Sequence, residues 1–388
     1  MNRRLLLPLL LALLACLSTA PAPASTAAPP PEVDVALNES VVTIPRQGPL
    51  FRFELETTLY RPEGDGPFPL VVINHGKAAG NPRFQGRYRP AHAARFFLRR
   101  GYAVLVPMRQ GFSKSTGSYN NALCNIESNG RLQAEDVKAT LDWATAQPWP
   151  DKERILVVGQ SHGGWTTLAF GTLDYPGVKG LINFAGGLRQ DSCIAWKQGL
   201  AGAAAAYAGA TRLPSLWFYG DNDSVFPPDT FRPMHESYVA AGGRARLVAF
   251  GSFGADGHAM FGSRAGLTIW QPEVAKFLAD LGLPHEPDPA QARFDLPPPL
   301  PAPPRSDFAA IEDAAKLPHV RGTGRAGYAD FLGKSPPCAF AIAPNGAWGG
   351  VEGGDDSLRR ALAGCNRRGN GTCRLYAVDD SVVWKDQP

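Results

Sequence analysis

The stretch R-I-L-V-V-G-Q-S-H-G-G, Arg154 to Gly164, constrains this chain more than any other. Ile155, Val157 and Val158 are β-branched residues of a strand, Gly159 breaks the run, and beyond Gly163 and Gly164 the residues Trp165 to Phe170 read as helix. A strand that turns sharply into a helix around one serine holds that serine in a strained conformation, with its hydroxyl projecting from the sheet edge. Glycines two residues to either side let the two backbones pass without Cβ clashes. Ser161 is therefore the candidate nucleophile. The pattern G-x-S-x-G alone is weak, because glycine and serine abound in ordinary turns, so the reading depends on finding a base, an acid and an oxyanion site elsewhere.

The surrounding pattern supplies the frame for them. Residues 33 to 60 alternate like two antiparallel strands, and Leu70 to Ile73, Tyr102 to Val106, Val178 to Phe184, Leu216 to Tyr219 and Ala245 to Phe250 are runs with the look of further strands. Helix-like segments lie between them: Ala91 to Leu98, Leu132 to Trp143, about 197 to 209, Phe231 to Ala241 and Trp270 to Leu281. Strands alternating with helices imply right-handed crossovers and a doubly wound, mostly parallel α/β sheet over residues 33–283.

Residues 284–305 are crowded with proline, among them Pro297, Pro298, Pro299, Pro301, Pro303 and Pro304, and are expected to be an extended linker. Residues 306–388 are expected to form a small α+β domain, with a helical start at Phe308 to Leu317, a strand at Ala339 to Ala343, a helix around Leu358 to Leu362 and a hairpin from Leu375 to Trp384. Trp348, Tyr376 and Trp384 are expected to fill its core.

The first residues carry Arg3 and Arg4, then the apolar run Leu5 to Leu14, then small residues through Ala24, which is the pattern of an export signal over residues 1–24. Release after Ala24 is favoured over lipoprotein processing at Cys16. Removing two arginines and no acids lowers the net charge from +4 to about +2, and nothing in it points to nucleic acid. In an exported chain, Cys124, Cys193, Cys338, Cys365 and Cys373 are disulfide candidates and not metal ligands, since no C-x-x-C pair or neighbouring His pair is present. Cys365 and Cys373 close a short loop, Cys124 and Cys193 are the candidates for a longer one, and Cys338 is left over.

Ser161 needs a base and an orienting acid from the ends of later strands, in the order Ser, Asp, His. Asp221 and Asp223 follow the Leu216 to Tyr219 strand, and Asp223 is preferred because it lies deeper in the loop. His258 lies between the last strand and the last helix. His92, His235, His285 and His319 lie in helix-like or linker segments. The backbone N–H of His162 is one expected oxyanion donor, and the second is that of Gly76 or Lys77, with Lys77 favoured. The ring of His75 is expected to hold that loop. Trp165, Trp196, Phe226 and Phe253 lie near these loops and suggest an apolar pocket.

Together, G-Q-S-H-G-G, G-D-N-D-S-V-F, D-G-H and N-H-G-K resemble the α/β-hydrolase fold, and their layout is similar to its dienelactone hydrolase and prolyl-oligopeptidase-like branch. The resemblance covers about residues 33–283. It implies a serine nucleophile acting without metal or organic cofactor. The segment P-M-R-Q-G-F-S-K-S-T-G is similar to the arginine-glycine loop of that branch, which implies Arg109 at the mouth of the site. Arg109 is expected to bind substrate, and so, from their places near the catalytic loops, are Trp165 and Phe226. Dienelactone hydrolases carry a cysteine nucleophile where this chain has Ser161, which argues against dienelactone as substrate.

The expected activity is that of an exported serine hydrolase cleaving carboxylic esters through an acyl-enzyme, with Ser161, Asp223 and His258 as triad. The enzyme alternative is a serine peptidase acting on short peptides. An alternative of another class is a protein that grips an envelope or polymer partner through residues 306–388, with a degenerate hydrolase domain.

Overall fold

The computed structural model describes residue 31 and residues 33–48, 51–334, 337–352 and 356–385. The expected signal segment, residues 1–24 with Cys16, lies outside the described residues. Among them, no helix is long and apolar enough to cross a membrane.

β1 (Glu39–Gln47) and β2 (Arg52–Tyr60) pair antiparallel at one edge of the main sheet. Strand and helix then alternate: β3 (Phe68–Asn74), α1 (Ala91–Leu98), β4 (Ala103–Pro107), α2 (Ile126–Thr145), β5 (Pro150–Gln160), α3 (His162–Phe170), β6 (Val178–Phe184), α4 (Trp196–Gly209), β7 (Ser215–Tyr219), α5 (Pro228–Ala240), β8 (Ala245–Ala249) and α6 (Leu267–Asp280). The spatial order is β1-β2-β4-β3-β5-β6-β7-β8, with β2 and β4 antiparallel and every pair from β4 to β8 parallel. Successive residues of the central strands point to opposite faces, and both faces are covered. Leu70, Val72, Ile155 and Val157 pack with residues of α2, α3, α4 and α5, while Val71, Ile73, Leu156 and Val158 pack with α1 and α6. This is the doubly wound architecture expected from the apolar runs. The chain order reverses at β3, which lies between β4 and β5, and in open α/β sheets ligands bind at the carboxyl ends of strands beside such a switch.

Residues 284–297 differ from the expected free linker. Pro289–Phe294 forms a short 3₁₀ helix whose Phe294 is buried, with Leu296 packed beside it in the layer that holds α1 and α6. The Gln291 amide exchanges hydrogen bonds with the backbone of Glu63, at 2.8 and 3.1 Å, and Asp288 N–H donates to the Arg99 carbonyl at 2.7 Å. Proline is compatible with this because these contacts are made by side chains and carbonyls and need no regular ladder.

After it come α7 (Thr323–Leu332), β9 (Cys338–Ile342), β10 (Trp348–Glu352), α8 (Ser357–Gly369), β11 (Arg374–Val378) and β12 (Ser381–Val382). These build a small antiparallel sheet in the order β10-β9-β11-β12. In β9 the large residues Phe340 and Ile342 pack in one cluster with Tyr328 and Phe331 of α7, and the alternating Ala339 and Ala341 pack in another with Ala361 and Cys365 of α8. The expected helix at Phe308 to Leu317 is not there, and only Ala314–Lys316 makes a 3₁₀ turn. The helix lies later, in α7, where its glycines obscured it. Gly327 is the place where the Trp348 ring rests, 2.3 Å from where a Cβ would stand. The disulfides Cys124–Cys193 and Cys365–Cys373 are formed, and Cys338 is free and buried.

Candidate active site

Ser161 joins β5 to α3 with φ 56° and ψ −127°, a left-handed conformation that non-glycine residues rarely take. Three contacts dictate the flanking glycines. A Cβ on Gly159 would stand 2.1 Å from the Gly163 carbonyl oxygen, one on Gly163 would stand 2.1 Å from the Asn74 carbonyl oxygen, and one on Gly164 would stand 2.3 Å from Asn183 Oδ1. Close packing of α3 on β3 and β5 thus requires the spacing read in the sequence. The Ser161 hydroxyl makes no hydrogen bond among the described residues. Its neighbour Gln160 ties the elbow to two other loops, donating to the His258 carbonyl at 3.1 Å and accepting from Tyr88 Oη at 3.3 Å.

The chain leaving β7 turns at Gly220 and buries Asp223, while the loop after β8 brings His258 to it. His258 Nδ1 lies 3.0 and 3.1 Å from the two carboxylate oxygens of Asp223. Asp223 Oδ1 also accepts the backbone N–H groups of Val225 and Phe226, both at 2.8 Å, so the carboxylate is fixed from behind. Asp221 is about half exposed and faces Arg232 at 3.6 Å, with no contact to the histidine. With Nδ1–H donating to Asp223, His258 Nε2 is left as the basic nitrogen. Asp256 secures the same loop, accepting from the backbone of His258 and Ser224 and from the Ser224 hydroxyl.

On the other side of Ser161, the loop after β3 turns through His75, Gly76 and Lys77. A Cβ on Gly76 would lie 3.3 Å from that of Ser161, so this loop passes directly over the serine. His75 is wholly buried, its Nδ1 donating to the Gly76 carbonyl at 2.7 Å and its Nε2 accepting the Arg109 N–H at 3.0 Å. His162 is also buried. Its Nδ1 accepts from Arg109 Nη2 at 2.9 Å and its Nε2 donates to Asn129 Oδ1 at 2.8 Å. Burial, and after it the charge of Arg109, holds both imidazoles well below the usual histidine range, so both are neutral. Burial lowers Arg109 itself to about 10, which leaves it charged at neutral pH. The backbone N–H groups of Lys77 and His162 donate to no acceptor among the described residues.

Three expectations need correction. Arg109, Trp165 and Phe226, expected at the substrate surface, are 0%, 0% and 1% exposed. Trp165 is a core residue of α3, donating through Nε1 to the Ile126 carbonyl and packing against Tyr207. Phe226 lies beneath His258, with ring centroids 5.8 Å apart, and supports it. Arg109 is drawn inward because β4 ends in a loop that doubles back on itself. Gly111 has φ 82°, and a Cβ there would stand 2.1 Å from the Tyr119 nitrogen. Sequence reading missed Asn129 and Gln133, polar residues on the buried face of α2 that bond to His162 and Arg109. An amphipathic reading of α2 marks them as out of place, but not what they touch. No group of three or more His, Cys, Asp or Glu residues among the described ones is arranged to hold a metal ion.

The model of the X-Pro dipeptidyl-peptidase (S15) family matches residues 53–222, under half of the chain, a span that includes Ser161 and ends one residue before Asp223. With that match on a sheet of this strand order and a serine at this elbow, the fold is settled and residues 53–222 are similar to the S15 peptidase family. The chain has the α/β-hydrolase fold. This α/β-hydrolase is 29% identical to the dipeptidyl aminopeptidase BIII of Pseudoxanthomonas mexicana over 27% of its own length and 14% of that protein. It is 35% identical to the quorum-quenching protein AidA of Acinetobacter baumannii over 29% of its length and 33% of that protein. The matched stretch is thus a third or less of each curated relative. Among solved structures, the acylaminoacyl peptidase of Pyrococcus horikoshii superposes with a TM-score of 0.48 at 20% identity, covering 66% of this chain and 44% of that one. The Pyrococcus furiosus esterase Pf2001 gives 0.46 at 15%, covering 65% and 97%.

Proposed function

We propose that this α/β-hydrolase cleaves carboxylic esters through an acyl-enzyme on Ser161. The carrying observation is that the strained serine at the end of β5 shares one sheet edge with a buried Asp223 bonded to a partly exposed His258 and with two unengaged backbone N–H groups. In this reading His258 Nε2 takes the Ser161 proton as the hydroxyl attacks the carbonyl carbon. Asp223 holds the ring and stabilises the imidazolium, and the N–H groups of His162 and Lys77 receive the oxyanion. His258 then returns the proton to the leaving alcohol, and water repeats the sequence to release the acid. Substrate binding closes the gap between Ser161 Oγ and His258 Nε2, since such bonds tighten in the substrate complex.

The match to a dipeptidyl-peptidase model favours a second reading, cleavage of short peptides. One feature weighs against it. From Gly66 to Ile126 the sequence holds no Asp or Glu, so the loops after β3 and β4 offer no carboxylate to hold a free amino terminus. The disulfides fit an oxidising compartment and hence export.

Fluorophosphonate labelling of the wild type, lost in Ser161→Ala, is the expected result, and a folded wild type that stays unlabelled defeats the triad reading. Turnover of p-nitrophenyl acetate is expected to exceed that of aminoacyl p-nitroanilides, and the reverse order would establish the peptidase.

A further inference from the structure

Arg109 is a buried arginine without a carboxylate of its own. The acid nearest in effect, Asp136, accepts the Gln110 N–H with one oxygen at 2.7 Å and faces Arg46 with the other at 2.8 Å. The Arg109 guanidinium instead meets neutral acceptors, His162 Nδ1 at 2.9 Å and Gln133 Oε1 at 3.3 Å, and its Nη1 has no partner among the described residues. Burying a cation under these terms is costly, and an apolar side chain of similar length would fill the space without that cost. Packing therefore does not explain an arginine here.

Its two ends do. The main-chain N–H of Arg109 holds His75, which in turn clasps the Gly76 carbonyl in the loop leading to Lys77. The guanidinium holds the ring of His162, whose far side is held by Asn129, itself bonded to Tyr119 Oη at 3.1 Å. The loop carrying one proposed donor and the helix start carrying the other come from different strands, and this residue is bonded to both. Its charge also acts on the rings of both His75 and His162, second only to burial, so its positive potential is felt on both sides of this corner.

We infer that Arg109 is a positioning residue for the oxyanion site: it fixes the spacing between the Lys77 and His162 backbone donors and sets a positive charge behind them. The inference rests on the reading of Ser161, Lys77 and His162 given above. An oxyanion donor misplaced by an ångström loses transition-state binding while ground-state binding is retained.

Steady-state hydrolysis of p-nitrophenyl acetate by Arg109→Met and Arg109→Lys provides the test. Loss of one oxyanion donor costs roughly 10²- to 10³-fold in kcat in serine hydrolases. Arg109→Met is expected to lose about 100-fold in kcat with KM within about two-fold. Arg109→Lys, which keeps the charge and one donor, is expected to lose about 10-fold. Affinity for phenylboronic acid, which mimics the tetrahedral adduct, is expected to fall in parallel with kcat/KM. A rise in KM at unchanged kcat would make Arg109 a substrate-binding residue and overturn the inference, as would wild-type kcat in Arg109→Met. Should Arg109→Met fail to fold, Asn129→Leu releases the far side of His162 and leaves Arg109 in place. It is expected to lower kcat several-fold at constant KM, and unchanged kcat there also overturns the inference. Failure of the two readings is distinguishable: a wild type unlabelled by fluorophosphonate defeats the Ser161 assignment, whereas equal labelling rates in wild type and Arg109→Met defeat only the role of Arg109.

Discussion

On one side of Ser161, the loop after β3 and the start of α3 are fastened by His75, Arg109, His162 and Asn129, all of them wholly or almost wholly buried. On the other side, Asp223 is buried but His258 keeps 18% of its side chain exposed and sits in a loop pinned by Asp256 and Gln160. In the proposed mechanism the first side presents main-chain dipoles, which must already be aimed before charge develops, because donors that reorient during reaction give back what they contribute. In the same mechanism the second side carries a group that changes protonation twice per turnover, and access to water suits a ring that must be charged and neutral in turn. One side is built for fixed geometry, the other for a small excursion.

This contrast can be broken from either side. The largest effect is expected at the base. In Asp223→Asn the side-chain oxygen can go on accepting from Val225 and Phe226 while the amide faces His258 Nδ1, forcing the wrong tautomer. The analogous change in a serine protease costs about 10⁴ in kcat, and a similar fall is expected here with thermal stability nearly unchanged. Retained turnover would remove Asp223 from the triad. On the rigid side, Gly163→Ala places a methyl carbon 2.1 Å from the Asn74 carbonyl oxygen, where neither backbone can yield. A loss of about 4 kcal/mol or more is expected, read as a collapse of soluble folded protein or of the urea midpoint, and a stable, active variant would show that the elbow tolerates movement.

The smallest effect is a pH dependence of stability. His75 and His162 stay neutral in the folded protein but take up protons near pH 6.5 when unfolded, so folding loses stability as pH falls through 6.5, by roughly 1 kcal/mol per unit for each ring. Asp136 acts oppositely. Burial raises it to about 6 from an unfolded value of 3.8, so it adds stability as pH falls through 6. Two rings against one carboxyl leave a net loss. Urea unfolding at pH 7.5 and 5.5 is expected to show it, with the slope reduced in His162→Gln. Equal stability at the two pH values would mean that the rigid side holds its rings protonated.

Much of the main sheet was legible because its strands are buried on both faces and so announce themselves as unbroken apolar runs. Val178–Phe184 was read to the residue. The elbow was legible because the close passage of backbones at Gly159, Gly163 and Gly164 admits only glycine. What could not be read was lateral. Nothing in R-Q-G-F tells that Arg109 turns inward, since its partners His75, Gln133 and His162 come from three other elements. In the small sheet, β10 was missed because W-G-G-V-E reads as a turn. Gly349 is there because α8 lies so close that a Cβ would stand 2.5 Å from the Ala361 carbonyl oxygen.

The docking of residues 284–296 on the main sheet has a consequence in time. Phe294 and Leu296 complete the layer over α1, and Gln291 satisfies the backbone at Glu63 from 228 positions further along the chain. During synthesis, which proceeds at about 5–20 residues per second, the first third of the sheet is therefore made tens of seconds before the piece that covers it. Until then the layer around α1 lacks Phe294 and Leu296, which the ribosome delivers only after the last strand and helix of the sheet.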